Sequence, residues 1–213
     1  MSYAALETYL LPFKHIFAEE GVNELMINKP GEVWIEKAGD QRMELVPEID
    51  IDHLLGLGRL VAQSTDQTIS EENPLLSATL PNGYRIQIVF APAVEPNLAA
   101  FAIRKGTTMS LSLDQYAEMG AFDNTSTEEL VDENDAILAD YLKSGQIKEF
   151  IRHAVNAKKN IIISGGTSTG KTTFTNAALS EIPAHERLIT VEDAREIMLH
   201  NHPNRVHLLA SKG

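Results

Sequence analysis

Apolar residues recur at spacings of three and four in the first part of the chain, where Leu6, Tyr9, Leu10, Phe13 and Phe17 predict an amphipathic helix from Ala4 to about Ala18. Pro12 falls inside it and kinks the helix or ends its first part. The period then changes. Glu24 to Ile27, Val33-Trp34-Ile35 and Met43 to Val46 are short strand-like runs, the last two joined around Gly39-Asp40 as a hairpin with Trp34 on a sheet face. Asp50-Ile51-Asp52 offers caps for a helix carrying Leu54, Leu55, Leu57, Leu60 and Val61. Leu80-Pro81-Asn82-Gly83 turns the chain into a strand with Ile86, Ile88 and Phe90 on one face and Arg85, Gln87 and Val89 on the other. Ala99 to Arg104 is a further strand.

Beyond Lys105 the pattern fades into Ser, Thr, Asp and Glu, with Ser126-Thr127-Glu128-Glu129 and Asp132-Glu133-Asn134-Asp135 forming an acidic stretch. This reads as a solvated linker with short helical pieces. Ile137, Leu138, Tyr141, Leu142, Ile147, Phe150, Ile151, Ala154 and Val155 then trace one or two helices broken at Ser144-Gly145. Three core strands can be drawn after them, Asn160 to Ser164, Arg187 to Val191 and Arg205 to Leu209, the first two rich in β-branched residues. The expected fold is α/β, with a mixed α/β domain at 1–105, an acidic linker at 106–140 and a nucleotide-binding domain with a parallel sheet at 141–213.

Composition narrows the class. With 43% hydrophobic residues, the chain can bury one large core or two small ones. A formal charge of -12 and the lack of a basic cluster argue against sequence-independent nucleic-acid binding. Cysteine is absent, which excludes disulfides and thiolate metal sites and agrees with a reducing cytoplasm. No apolar run approaches the ~20 residues of a membrane span, and Met1-Ser2-Tyr3-Ala4-Ala5 lacks signal-peptide character, so a soluble chain is expected.

The chemistry concentrates at Gly165-Gly166-Thr167-Ser168-Thr169-Gly170-Lys171-Thr172-Thr173, which satisfies the phosphate-loop (Walker A) pattern G-x-x-x-x-G-K-[ST] between an expected strand and an expected helix, Phe174 to Ser180. Glycines let the backbone curl so that N–H groups face phosphate oxygens at a helix N-terminus. Lys171 is placed to reach the β- and γ-phosphates of ATP and the Thr172 hydroxyl to ligate Mg²⁺. A second segment, Arg187 to Asp193, ends a strand in two carboxylates, where ligands of open sheets bind. Glu192 is the candidate to orient or deprotonate water, or to hold Mg²⁺ through one, while Asp193 caps a helix from Ala194 to Leu199. His200, His202 and His207 contain an H-x-H spacing, but the turn residues Asn201, Pro203 and Asn204 and the lack of a neighbouring carboxylate argue against a metal site.

Val22 to Trp34, Leu80 to Val89 and Phe101 to Lys105, in order with the phosphate loop and Ile189 to Glu196, resemble the hexameric secretion ATPases over nearly the whole chain. Within that superfamily the chain looks most like the traffic ATPase of bacterial type IV secretion systems, with type II secretion and pilus motors as relatives. The resemblance implies a ring of six subunits, an N-terminal domain and a RecA-like ATPase domain with ATP or ADP between them, and catalytic roles for Glu192 and for Arg85 and Arg104 at the phosphates. It also implies a cytoplasmic protein, peripheral at the inner membrane and working with other secretion-system components. The chain departs from the family by stopping at Gly213, before a second acidic motif and a histidine motif. The expectation is therefore a truncated RecA-like domain, impaired in hydrolysis and exposing apolar surface. The reading is a motor ATPase. The competing one is a docking or assembly module that senses nucleotide without hydrolysing it.

Overall fold

The structure is a computed structural model that describes residues 2–106, 111–123, 125 and 132–210. These form two compact units: the described residues of 1–107, 185–196 and 202–213 in one, and those of 108–184 and 197–201 in the other.

In the first unit, α1 (Ser2–Leu10) tightens into a 3-10 turn at Leu11–Phe13 and continues as α2 (Lys14–Ala18). Pro12 accounts for the turn, because it has no N–H for the α-helical ladder. The sheet comprises β1 (Val22–Ile27), β2 (Glu32–Lys37), β3 (Asp40–Leu45), β4 (Leu75–Thr79), β5 (Arg85–Phe90) and β6 (Ala99–Arg104). All pairings are antiparallel, in the order β3-β2-β1-β6-β5-β4. β4 was not anticipated. Its LLSAT sequence is short, and Leu75 is exposed, so little in its pattern separates it from a loop.

The helix α3 (Ile51–Ser64) starts where expected, with the Asp50 carboxylate accepting from His53 N at 2.7 Å. Its Leu54, Leu57 and Val61 join Leu6, Phe13 and Ile16 over the apolar sheet face formed by Leu25, Ile35, Ile88 and Ile103. Each side chain so buried contributes about 1.5–3 kcal/mol. That face is fixed by alternation along the strands, which leaves Arg85, Gln87 and Arg104 on the opposite face.

Two further strands, β7 (Leu188–Glu192) and β8 (Arg205–Leu209), pair in parallel as expected. Val206 and Leu208 pack on Val89 and Ala100 of the open face, and Leu209 N donates to Ala93 O at 2.9 Å. The turn before β8 is tied down by Asn204, which accepts from Asn28 Nδ2 at 2.8 Å and donates to Gln41 Oε1 at 2.6 Å. The expected helix from Ala194 to Leu199 does not form; 195–199 have no regular structure, so Asp193 caps nothing. Instead Glu196 N donates to the Glu192 carboxylate at 2.7 Å.

The second unit is helical: α4 (Leu113–Glu118), α5 (Glu133–Lys143), α6 (Ile147–Asn156) and α7 (Lys171–Leu179). Gly145, at φ +72, makes the expected break between α5 and α6. Arg152 of α6 donates to Glu181 at 2.8 Å and to Glu149 at 3.1 Å. In the acidic stretch Asp132 and Asp135 stay exposed to solvent while both pair with Lys159, whose ammonium holds the Asp132 carboxyl down at about 2. The rest of that stretch, 126–131, lies outside the described residues. The expected strand Asn160 to Ser164 is a correction as well. It has no ladder partner among the described residues, and Ile162 is 94% exposed. Its β-branched residues favour extended backbone, but a strand also needs a neighbour to take its N–H and C=O groups.

Candidate functional site

Of the phosphate-loop residues, Gly165, Gly166, Thr167, Ser168, Thr169 and Gly170 form an exposed loop, and Lys171, Thr172 and Thr173 open α7 within the second unit. Gly170 sits at φ +83 immediately before the helix, a conformation that is strained for any residue with a Cβ, and Ser168 is also left-handed at φ +59. A Cβ on Gly165 would lie 2.7 Å from Thr169 Oγ1, whose hydroxyl donates to Gly166 O at 2.9 Å. A side chain at Gly165 would therefore displace the Thr169 hydroxyl and its hydrogen bond, whereas at Gly170 space is open and the backbone conformation alone favours glycine. No side chain caps α7, which leaves a helix N-terminus with its partial positive charge beside the loop. Lys171 Nζ folds back onto Gly166 O at 2.5 Å, keeping its ammonium over the curl of the loop.

The first unit carries the other candidates. Strand register places Gln41, Glu36, Glu24, Arg104, Arg85 and Thr79 in one row across all six strands of the open face. Arg85 and Arg104 are direct cross-strand partners, both exposed. Like charges placed opposite one another weaken a ladder. Here they line an open groove of about 760 Å³ with Thr65, Gln67, Ser77, Gln87 and the single carboxylate of Glu24. The arrangement concentrates positive charge where the sheet offers no structural need for it.

Glu192 ends β7, and β7 and β8 pair Thr190 directly with His207. Alternation puts Thr190 and Glu192 on the same side. Thr190 Oγ1 donates to Glu192 Oε1 at 2.7 Å and lies 2.9 Å from His207 Nδ1. A hydroxyl has one proton, so His207 carries its own on Nδ1 and donates to Thr190. The result is a relay from imidazole through hydroxyl to carboxylate, with His207 Nδ1 3.5 Å from Glu192 Oε1. His207 is 3% exposed; burial, then the charge of Arg195, pushes its pKa below the ordinary value despite Glu192. Its Nε2 is buried with no hydrogen-bond partner among the described residues. Arg195 is itself paired with Glu95. A carboxylate does therefore sit beside one of the three histidines, contrary to expectation, and it serves a hydrogen-bonded relay. Among the described residues no group of three His, Cys, Asp or Glu side chains could hold a metal ion.

The family described as Type II/IV secretion system protein matches residues 11–210. The chain is 38% identical over 207 residues to the Type IV secretion system protein VirB11 of Brucella suis biovar 1, covering 96% of this chain and 57% of that protein. It is 37% identical over 221 residues to VirB11 of Bartonella henselae, covering 98% and 62%, and 34% identical over 206 residues to PtlH of Bordetella pertussis, covering 97% and 60%. The crystal structure of the VirB11 ATPase from the Brucella suis type IV secretion system in complex with sulphate matches with a TM-score of 0.93 at 37% identity, over 97% of this chain and 64% of that one. The chain thus spans 57–62% of the length of these curated relatives. No helix among the described residues is long and apolar enough to cross a membrane.

Proposed function

We propose, from the premise that this chain belongs to the Type II/IV secretion system protein family, that it is an ATP-binding and hydrolysing motor subunit of a bacterial secretion system. The observation that carries the proposal is the phosphate loop, with a left-handed Gly170, a Gly165 whose added Cβ would press on the Thr169 hydroxyl and a helix N-terminus without a side-chain cap. These fit a nucleotide phosphate chain by backbone N–H groups and helix charge.

Each candidate then has a role. Lys171 leaves Gly166 O to bind the β- and γ-phosphates; Thr172 offers a hydroxyl to Mg²⁺, which neutralises charge developing on the phosphates. Glu192, aimed by Thr190, orients the attacking water and accepts its proton. Arg85 and Arg104 stabilise charge on the transferring phosphoryl group. In the cell we place the protein at the cytoplasmic face of the inner membrane, as a subunit of a six-membered ring working with other secretion-system components. Nucleotide turnover there drives hinge motion that assembles the apparatus or moves its substrate.

Calorimetric titration of ATP and ADP with Mg²⁺ into the chain and into Lys171→Ala tests the reading. Binding abolished by Lys171→Ala is expected. Equal binding by both proteins would sink it; partner binding that survives Lys171→Ala unchanged, with function intact in cells, would favour the docking module.

A further inference from the structure

Arg187 stands immediately before β7 and lines a cleft of about 140 Å³ between β7–β8 and the open face of the six-stranded sheet. Gln87 and Ala102 line both this cleft and the 760 Å³ groove of Arg85 and Arg104, so the two spaces share a wall. The sequence shows no basic cluster, yet the fold brings three arginines from β5, β6 and the approach to β7 onto one face. Against them the lining residues supply one carboxylate, Glu24.

The Arg187 guanidinium is partly buried, and its Nε has no hydrogen-bond partner among the described residues. Burial pushes its pKa down, and Glu24 offsets this only through space. A guanidinium N–H withdrawn from water without a partner is unfavourable, and an apolar side chain of the same volume would serve packing better. The feature is explained by an anion arriving from outside the fold. Three arginines matched by one acid call for several negative charges in a small volume, which a polyphosphate carries and a single carboxylate does not. The formal charge of -12 on the chain disfavours a nucleic-acid backbone.

We propose that Arg187 is a third anion-binding arginine, forming with Arg85 and Arg104 a site for the polyphosphate of a nucleotide on the open face of the sheet. The identity of the nucleotide rests on the function proposed above; the preference for polyphosphate does not. Arg187 binds as a fork, donating two parallel hydrogen bonds to phosphate oxygens from a position that water reaches poorly.

The test is calorimetric titration of the whole chain with inorganic tripolyphosphate and with ATP plus Mg²⁺, on the wild type, Arg187→Gln and Lys171→Ala, with thermal melting of each. Arg187→Gln is expected to weaken tripolyphosphate binding about tenfold or more, while its melting midpoint stays level or rises because a partly desolvated charge has gone. Undiminished affinity in Arg187→Gln, or no tripolyphosphate binding by the wild type, overturns the proposal. If affinity and melting midpoint both fall, Arg187→Lys decides. Recovery of part of the affinity with the charge supports anion binding, and none shows a packing role only. ATP binding unchanged by Lys171→Ala refutes the nucleotide reading alone, since the Arg187 dependence of tripolyphosphate binding still decides this one.

Discussion

Gly58 lies in the middle of α3, where a glycine ordinarily costs about 1 kcal/mol relative to alanine. Replacing it by alanine should therefore stabilise the protein, were it not for β5. A Cβ at Gly58 would stand 2.3 Å from Phe90 Cζ and 3.0 Å from its Cε1. Carbon atoms settle at about 3.5 Å or more, so the ring must retreat by about 1.2 Å. Phe90 is 5% exposed and packs against Phe101 at a centroid distance of 6.3 Å, leaving it nowhere cheap to go. Overpacking of this kind costs about 1–3 kcal/mol. The upper half of that range applies to a boxed ring, and it outweighs the helix gain, so Gly58→Ala should destabilise by about 1–2 kcal/mol. Trp34, the one tryptophan, lies in β2 of the same sheet and reports unfolding by fluorescence. In urea the midpoint should fall by about 0.5–1 M for a slope near 2 kcal/mol/M. Adding Phe90→Leu should relieve the clash, making the double variant more stable than the two single effects predict by about 1 kcal/mol. A more stable Gly58→Ala, or strict additivity, would refute the packing argument.

The remaining predictions concern pH. His207 has its pKa lowered by burial, so the unfolded chain takes up a proton that the folded one resists as pH drops below about 6.5. Stability should be full above that value and decline below it, and His207→Gln should flatten this part of a stability profile; an unchanged profile would show that burial does not hold His207 neutral. Glu19 is held at about 2 by Arg42 first and Lys37 second, so its contribution is present above about 4.5 and is lost as pH falls toward 2. Glu19→Gln should remove that acid-dependent loss in acid titrations followed by Trp34 fluorescence, and the wild-type slope persisting in the variant would count against the pairing.

Local signals were legible wherever one residue type has a local physical consequence. Asp50 before an apolar helix, Gly39-Asp40 between alternating runs and the glycine loop Gly165 to Gly170 leading into α7 could each be read because caps, turns and loop-to-helix junctions are settled within a few residues. What escaped depends on neighbours distant in sequence. Asn160 to Ser164 has the composition of a strand, but composition cannot supply a ladder partner. The helix from Ala194 lost to Glu192, which drew in Glu196 N itself. The role of His207 needed the pairing of Thr190 with His207, although a Thr-x-Glu strand ending beside a later histidine-bearing strand was there to be read. Arg187 became conspicuous only once the fold placed it against the face of Arg85 and Arg104.

The order β3-β2-β1-β6-β5-β4 amounts to two three-stranded meanders, each continuous in sequence, sealed along β1 and β6. Within each meander, neighbouring strands are close in the chain and their pairing closes small loops. The seal is different: Glu24 to Ile27 must find Phe101 to Arg104 across everything between them. It is the high-contact-order step, the one that loop entropy delays. Kinetically the sheet is two fast local nuclei and one slow seam. The seam also aligns Glu24 with Arg104, so the open-face row acquires its charge pattern only when that last pairing closes.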